Sequence, residues 1–107
     1  VHRITTDSLT LEVALGDDDP ATVANADAWI TLPDGTKWTA TFLTHAEVGR
    51  IMDRWRDTGE CLDGRYFRVG PDLVIIRSPG VAEMLAVATE LVATGEYTDA
   101  LHRVDGS

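Results

Sequence analysis

Four residues, Leu32-Pro33-Asp34-Gly35, set the register of the most readable stretch of this chain. Pro33 presets φ for the second position of a type I turn, and Gly35 at the fourth can take positive φ. Such a turn closes a three-residue hairpin loop with a bulge. It places Leu32 opposite Thr36, Ile30 opposite Trp38, Ala28 opposite Ala40 and Ala26 opposite Phe42. All but Thr36 are apolar, so they line one core-facing side. A two-residue loop would instead set Phe42 opposite Asp27 and bury a carboxylate. The favoured register leaves Asp27, Trp29, Thr31, Lys37, Thr39 and Thr41 on the other face.

On either side of this hairpin the pattern changes. Leu9, Leu11, Val13 and Leu15 alternate, which predicts a half-buried strand over 9–15. Gly16-Asp17-Asp18-Asp19-Pro20 breaks it into a solvated loop. Thr44 followed by Glu47 is a capping box, and Val48, Ile51, Met52 and Trp55 make one helical stripe ending near Gly59. Residues 65–69 and 72–77 predict a second strand pair turned at Gly70-Pro71. The continuous apolar run 73–76 reads as a central strand covered on both sides. Ser78 and Pro79 suit the start of a helix carrying Val81, Met84, Leu85, Ala88, Leu91 and Val92 and stopping at Gly95. Tyr97, Leu101 and Val104 predict a short closing helix.

Thr58-Gly59-Glu60 and Thr94-Gly95-Glu96 lie 36 residues apart, so each half reads strand, turn, strand, helix, Thr-Gly-Glu. The expected fold is a single α+β domain over 1–107. It has one antiparallel sheet of about five strands and two main helices on one face, in the order β-ββα-ββα plus a short C-terminal helix.

The composition narrows the function classes. Nine basic against 18 acidic residues give a formal charge of −9, the wrong sign for a general nucleic-acid binder. The acidity is segregated. Residues 1–36 carry −6, residues 37–77 carry +1 and residues 78–107 carry −4. Cys61 is the one cysteine, so no internal disulfide forms. Glu60 and Asp63 beside it disfavour a reactive thiolate and suggest a buried structural cysteine. His2, His45 and His102 share no metal-ligand spacing, and Lys37 is the sole lysine, without a Gly-rich phosphate loop. No apolar run has membrane-spanning length. A cytoplasmic chain without cofactor or metal is expected.

The residues from Leu32-Pro33-Asp34-Gly35 through Trp38, Phe42, Thr44, Glu47, Met52-Asp53-Arg54-Trp55, Thr58-Gly59-Glu60-Cys61, Gly64-Arg65-Tyr66-Phe67 and Asp72-Leu73-Val74-Ile75 resemble a group of small bacterial proteins. These are similar in size and acidity to the immunity proteins of polymorphic toxin and contact-dependent inhibition systems. The resemblance implies a non-enzymatic cytosolic protein that binds a toxin domain and blocks its active site. It carries over no contact residue. From the residues themselves, Asp17, Asp18, Asp19 and Asp27 are the candidate charged contacts for a basic partner, with Trp29 as apolar anchor. Two alternatives remain: a homodimeric structural or regulatory domain, and a small enzyme or ligand binder using a pocket between sheet and helices lined by Tyr66, Trp38, His45 or Cys61.

Overall fold

A computed structural model of the chain describes residues 1–68 and 70–104. Four strands run antiparallel in chain order: β1 (His2–Thr5), β2 (Thr10–Val13), β3 (Asn25–Thr31) and β4 (Lys37–Thr44). The far side of β4 is shared by two short strands. β5 (Leu73–Ile76) pairs parallel with Thr41–Thr44, and β6 (His102–Arg103) pairs antiparallel with Trp38–Thr39. The helical segments are α1 (His45–Thr58), α2 (Glu60–Gly64), which is a single left-handed turn, α3 (Val81–Thr94) and α4 (Tyr97–Ala100). The fold is α+β with one open sheet.

The β3–β4 register is the one the turn demands. Ala26 faces Phe42, Ala28 faces Ala40 and Ile30 faces Trp38. The Leu32 N–H donates to the Thr36 carbonyl at 2.9 Å, and the Gly35 N–H donates to Leu32 at 2.9 Å. Leu11, Val13, Ala28, Ile30, Ala40 and Phe42 form a fully buried face. α3 lays Val81, Met84 and Ala88 on it, and Ile76 of β5 and Leu101 join the same core. Tyr97 of α4 meets Trp38 edge-on at 5.0 Å, while the Trp38 indole N–H donates to the Thr36 hydroxyl at 3.0 Å. Thr44 caps α1 by accepting from the Glu47 N–H at 3.1 Å. The Glu47 carboxylate does not complete the box; it binds Arg50 instead. Gly59 and Gly95 end two 14-residue helices that start and stop 36 residues apart.

The second half departs from the sequence expectation. Residues 65–68 are not strand, and Val69 lies outside the described residues. Among the described residues β5 therefore has no hairpin partner. It reaches the sheet by a crossover through α1 and so runs parallel to β4, as such connections require. Nor is it central: it forms an edge, and Ile75 is 54% exposed. Only α3 and α4 contribute to the main core; α1 does not. Its buried Ile51 and the adjacent strand's Leu43 lie outside that cluster, and Trp55 of α1 stacks on Phe67 at 5.3 Å. α3 begins at Val81 behind Gly80, so Ser78 and Pro79 precede it. The closing helix stops at Ala100, after which the chain extends into β6. At the other end, the expected strand is confined to Thr10–Val13, and β1 is an additional strand that the sequence reading did not place.

Two glycines are dictated by close approach. Gly80 (φ +107°) donates to the Val23 carbonyl at 2.8 Å, and a Cβ there would lie 2.7 Å from the Ala21 oxygen. Gly64 (φ +79°) presses on α1, where a Cβ would run into the Met52 carbonyl oxygen. Just before it, Cys61, Leu62 and Asp63 all hold left-handed conformations at φ 50°, 52° and 60°. Each such non-glycine residue costs about 1–2 kcal/mol. The Cys61 thiol is half-buried in this turn, not enclosed in the core.

Gly80→Ala should destabilise the protein by about 2–3 kcal/mol, through positive φ and the clash with Ala21 together, read as a lower urea midpoint. Leu62→Gly should act oppositely, because Leu62 is left-handed and 67% exposed. The relief of strain exceeds glycine's unfolded-state entropy, for a gain of about 0.5–1 kcal/mol in the same measurement.

Candidate functional site

Strand alternation sends the polar residues of β3 and β4 away from the core. Asp27 and Lys37 are exposed there, and Trp29, Thr31, Thr39 and Thr41 are half-buried. The pairings align them in rows: Arg3, Glu12, Trp29, Thr39 and His102 in one, Asp27, Thr41 and Leu73 in the next. Between these two rows lies a groove of about 270 Å³, lined by Asp27, Trp29, Thr39, Asp72 and the Ala28–Ala40 pair. Because Ala28 and Ala40 turn their methyl groups to the core, they contribute main chain to its floor.

Asp72 enters this groove from the residue before β5. Its carboxylate accepts from the Thr39 hydroxyl at 2.6 Å and the Thr41 hydroxyl at 3.1 Å. The same Thr41 oxygen is 3.2 Å from the Asp27 carboxylate. Thr41 also donates its backbone N–H to the Asp72 carbonyl at 2.9 Å. Asp72 thus clamps the start of β5 to β4 while holding its charge beside that of Asp27. Among the described residues, neither carboxylate has a cationic partner; the recorded ion pairs join Arg3 to Glu12, Arg50 to Glu47 and Arg56 to Asp53.

Asp27 and Trp29 therefore share one groove, but the 17–19 cluster does not. Asp17, Asp18 and Asp19 are exposed in the loop between β2 and β3, beyond the Asn25 end of the hairpin. Asp19 has a structural task there. Its carboxylate accepts from the Ala21 N–H at 2.8 Å and its carbonyl from Thr22 and Val23. Asp18 lines a separate groove of about 380 Å³ with Thr22, Asn25, Glu47 and Arg50. The cation in that groove is already engaged: the hydrogen bonds and charge of Glu47 raise the Arg50 pKa. Asp72 was missed by sequence reasoning, since only the crossover brings it beside residues 39–41.

Of the residues named for a ligand pocket, Trp38, Tyr66, His45 and Cys61 do not line one groove together among the described residues. Trp38 packs in the core against Tyr97, while Tyr66 is 49% exposed. His45 lines a groove with Ile75, Ile76 and Arg77 that includes neither of them nor Cys61. Among the described residues, no three His, Cys, Asp or Glu side chains converge as a metal site, and no helix is long and apolar enough to cross a membrane. Comparison with family models, curated proteins and solved structures gave no match.

Asp72→Ala should cost about 1–2 kcal/mol in thermal unfolding, because two threonine hydroxyls lose a charged acceptor. Asp27→Ala, at an exposed position, should stay within about 0.5 kcal/mol of the parent.

Proposed function

We propose that this chain is a non-enzymatic protein-binding domain of the immunity-protein kind, neutralising a basic toxin domain in the cytoplasm by occluding its active site. The observation that carries this reading is the groove on the open sheet face. There a half-buried Trp29 lies with two carboxylates that have no cationic partner among the described residues, in a chain of net charge −9. An aromatic anchor rimmed by unpaired charge is the composition of an interface hot spot. Asp17, Asp18 and Asp19 act at longer range, steering a basic surface toward the same end of the hairpin.

A second reading has its own support. β5 is an edge strand with Ile75 54% exposed, which suits pairing of the chain with a second copy. Light scattering at high concentration separates the two, since a monomer removes the self-pairing reading.

The direct test is co-expression with the product of the neighbouring gene, where the proposal expects a toxin domain. Restored growth and a co-migrating complex are expected; the absence of both would sink the proposal. Within such a complex, Asp17→Asn, Asp18→Asn and Asp19→Asn together should slow association roughly tenfold at low salt and flatten its salt dependence. Trp29→Ala should act mainly on dissociation and weaken affinity by about 2 kcal/mol or more, read by surface plasmon resonance.

A further inference from the structure

The groove's chemistry specifies which partner side chain it takes, an inference that rests on the protein-binding reading above. We infer that it receives a single arginine guanidinium from the partner protein.

Its volume, about 270 Å³, is large enough to take one inserted side chain. The acceptors are under-filled. A carboxylate offers about four lone-pair positions. Asp72 uses two of its positions, for Thr39 and Thr41, and Asp27 uses one, for Thr41. The Thr41 hydroxyl has a single proton and can serve one of the two carboxylates at a time. A donor with several N–H groups fixed in one plane matches this deficit. Guanidinium supplies five such donors, and its flat face stacks on an indole. An ammonium provides a point charge without the stacking plane, so lysine fits less well.

The neighbouring charges leave room for that cation. Arg3, in the Trp29 row, is directed to Glu12 at 3.9 Å. Lys37 sits in the adjacent row opposite Thr31. His102 lies opposite Thr39 and presents its carbonyl to the Thr39 hydroxyl at 3.5 Å.

The test is an NMR titration of the isotopically labelled protein with N-acetyl-arginine amide, and in parallel with the citrulline counterpart, which has the same shape without the charge. The arginine compound should shift the Trp29 indole N–H and the Thr39 and Thr41 amides saturably. Citrulline should bind about tenfold more weakly, the difference between a charged and a neutral hydrogen-bonding pair. Asp27→Asn, at an exposed position, should weaken the arginine response without disturbing the remaining spectrum; Asp27→Asn with Asp72→Asn should abolish it. Equal response to both compounds, no saturable shift at Trp29, or a response that survives the double variant would each overturn the inference. Binding of the neighbouring gene's product separates this from the wider reading. A toxin that binds a protein whose groove ignores arginine defeats the arginine inference alone. A groove that takes arginine in a protein no toxin binds defeats the immunity reading alone.

Discussion

The pairing of β3 with β4 is the constraint on which the rest of the structure depends. One hydrogen-bonded turn at Leu32–Thr36 decides that Ala26, Ala28, Ile30, Ala40 and Phe42 share a face. A slip of one residue would set Asp27 opposite Phe42, sending Asp27 and Trp29 into the core and Ala28 and Ile30 to water. The carboxylate alone would make that state costly by several kcal/mol, because no buried partner awaits it. The same choice therefore builds two things at once: an apolar floor for α3, and a polar face that holds the candidate binding groove.

Everything after β4 is organised by how its far edge is filled. The crossover through α1 returns β5 parallel to residues 41–44, and the end of the chain supplies β6 to residues 38–39. Asp72 sits at the seam, tying β5 to Thr39 and Thr41 through its side chain and main chain. On the opposite flank the loop after β2 is tied to the start of α3, with Val81 donating to Pro20 and Gly80 to Val23, both at 2.8 Å. The strained left-handed turn at Cys61–Asp63 lies within the crossover, where the chain must reverse against α1.

Local chemistry was legible where it was self-contained. The hairpin register, the Thr44 cap and the glycine stops at 59 and 95 each depend on a few neighbouring residues, and each appears as the sequence implies. Misreadings arise where a pattern has two physical solutions. A four-residue apolar run such as Leu73–Ile76 suits a central strand, but also an edge strand with one exposed residue, and Ile75 is that residue. Residues 65–68 carry strand-like side chains, yet pairing needs a partner edge, and the parallel entry of β5 supplies none. Asp27 and Trp29 could be placed on the outer face from the turn alone. Their neighbour Asp72 could not, since it is more than 40 residues away along the chain.

By itself, then, the sequence determined the hairpin, the helical segments with their glycine stops, the α+β class, and a polar outer face carrying Asp27 and Trp29. These follow from turn chemistry, side-chain periodicity and charge, all of which act over a few residues. The tertiary structure alone decided that β5 is a parallel edge strand, that α1 stands outside the main core, and that Asp72 joins Asp27 and Trp29 while Asp17–Asp19 stay at the end of the sheet. Those outcomes depend on which strand edge a distant segment meets. That is settled by the long-range competition to cover β4, which no local pattern encodes.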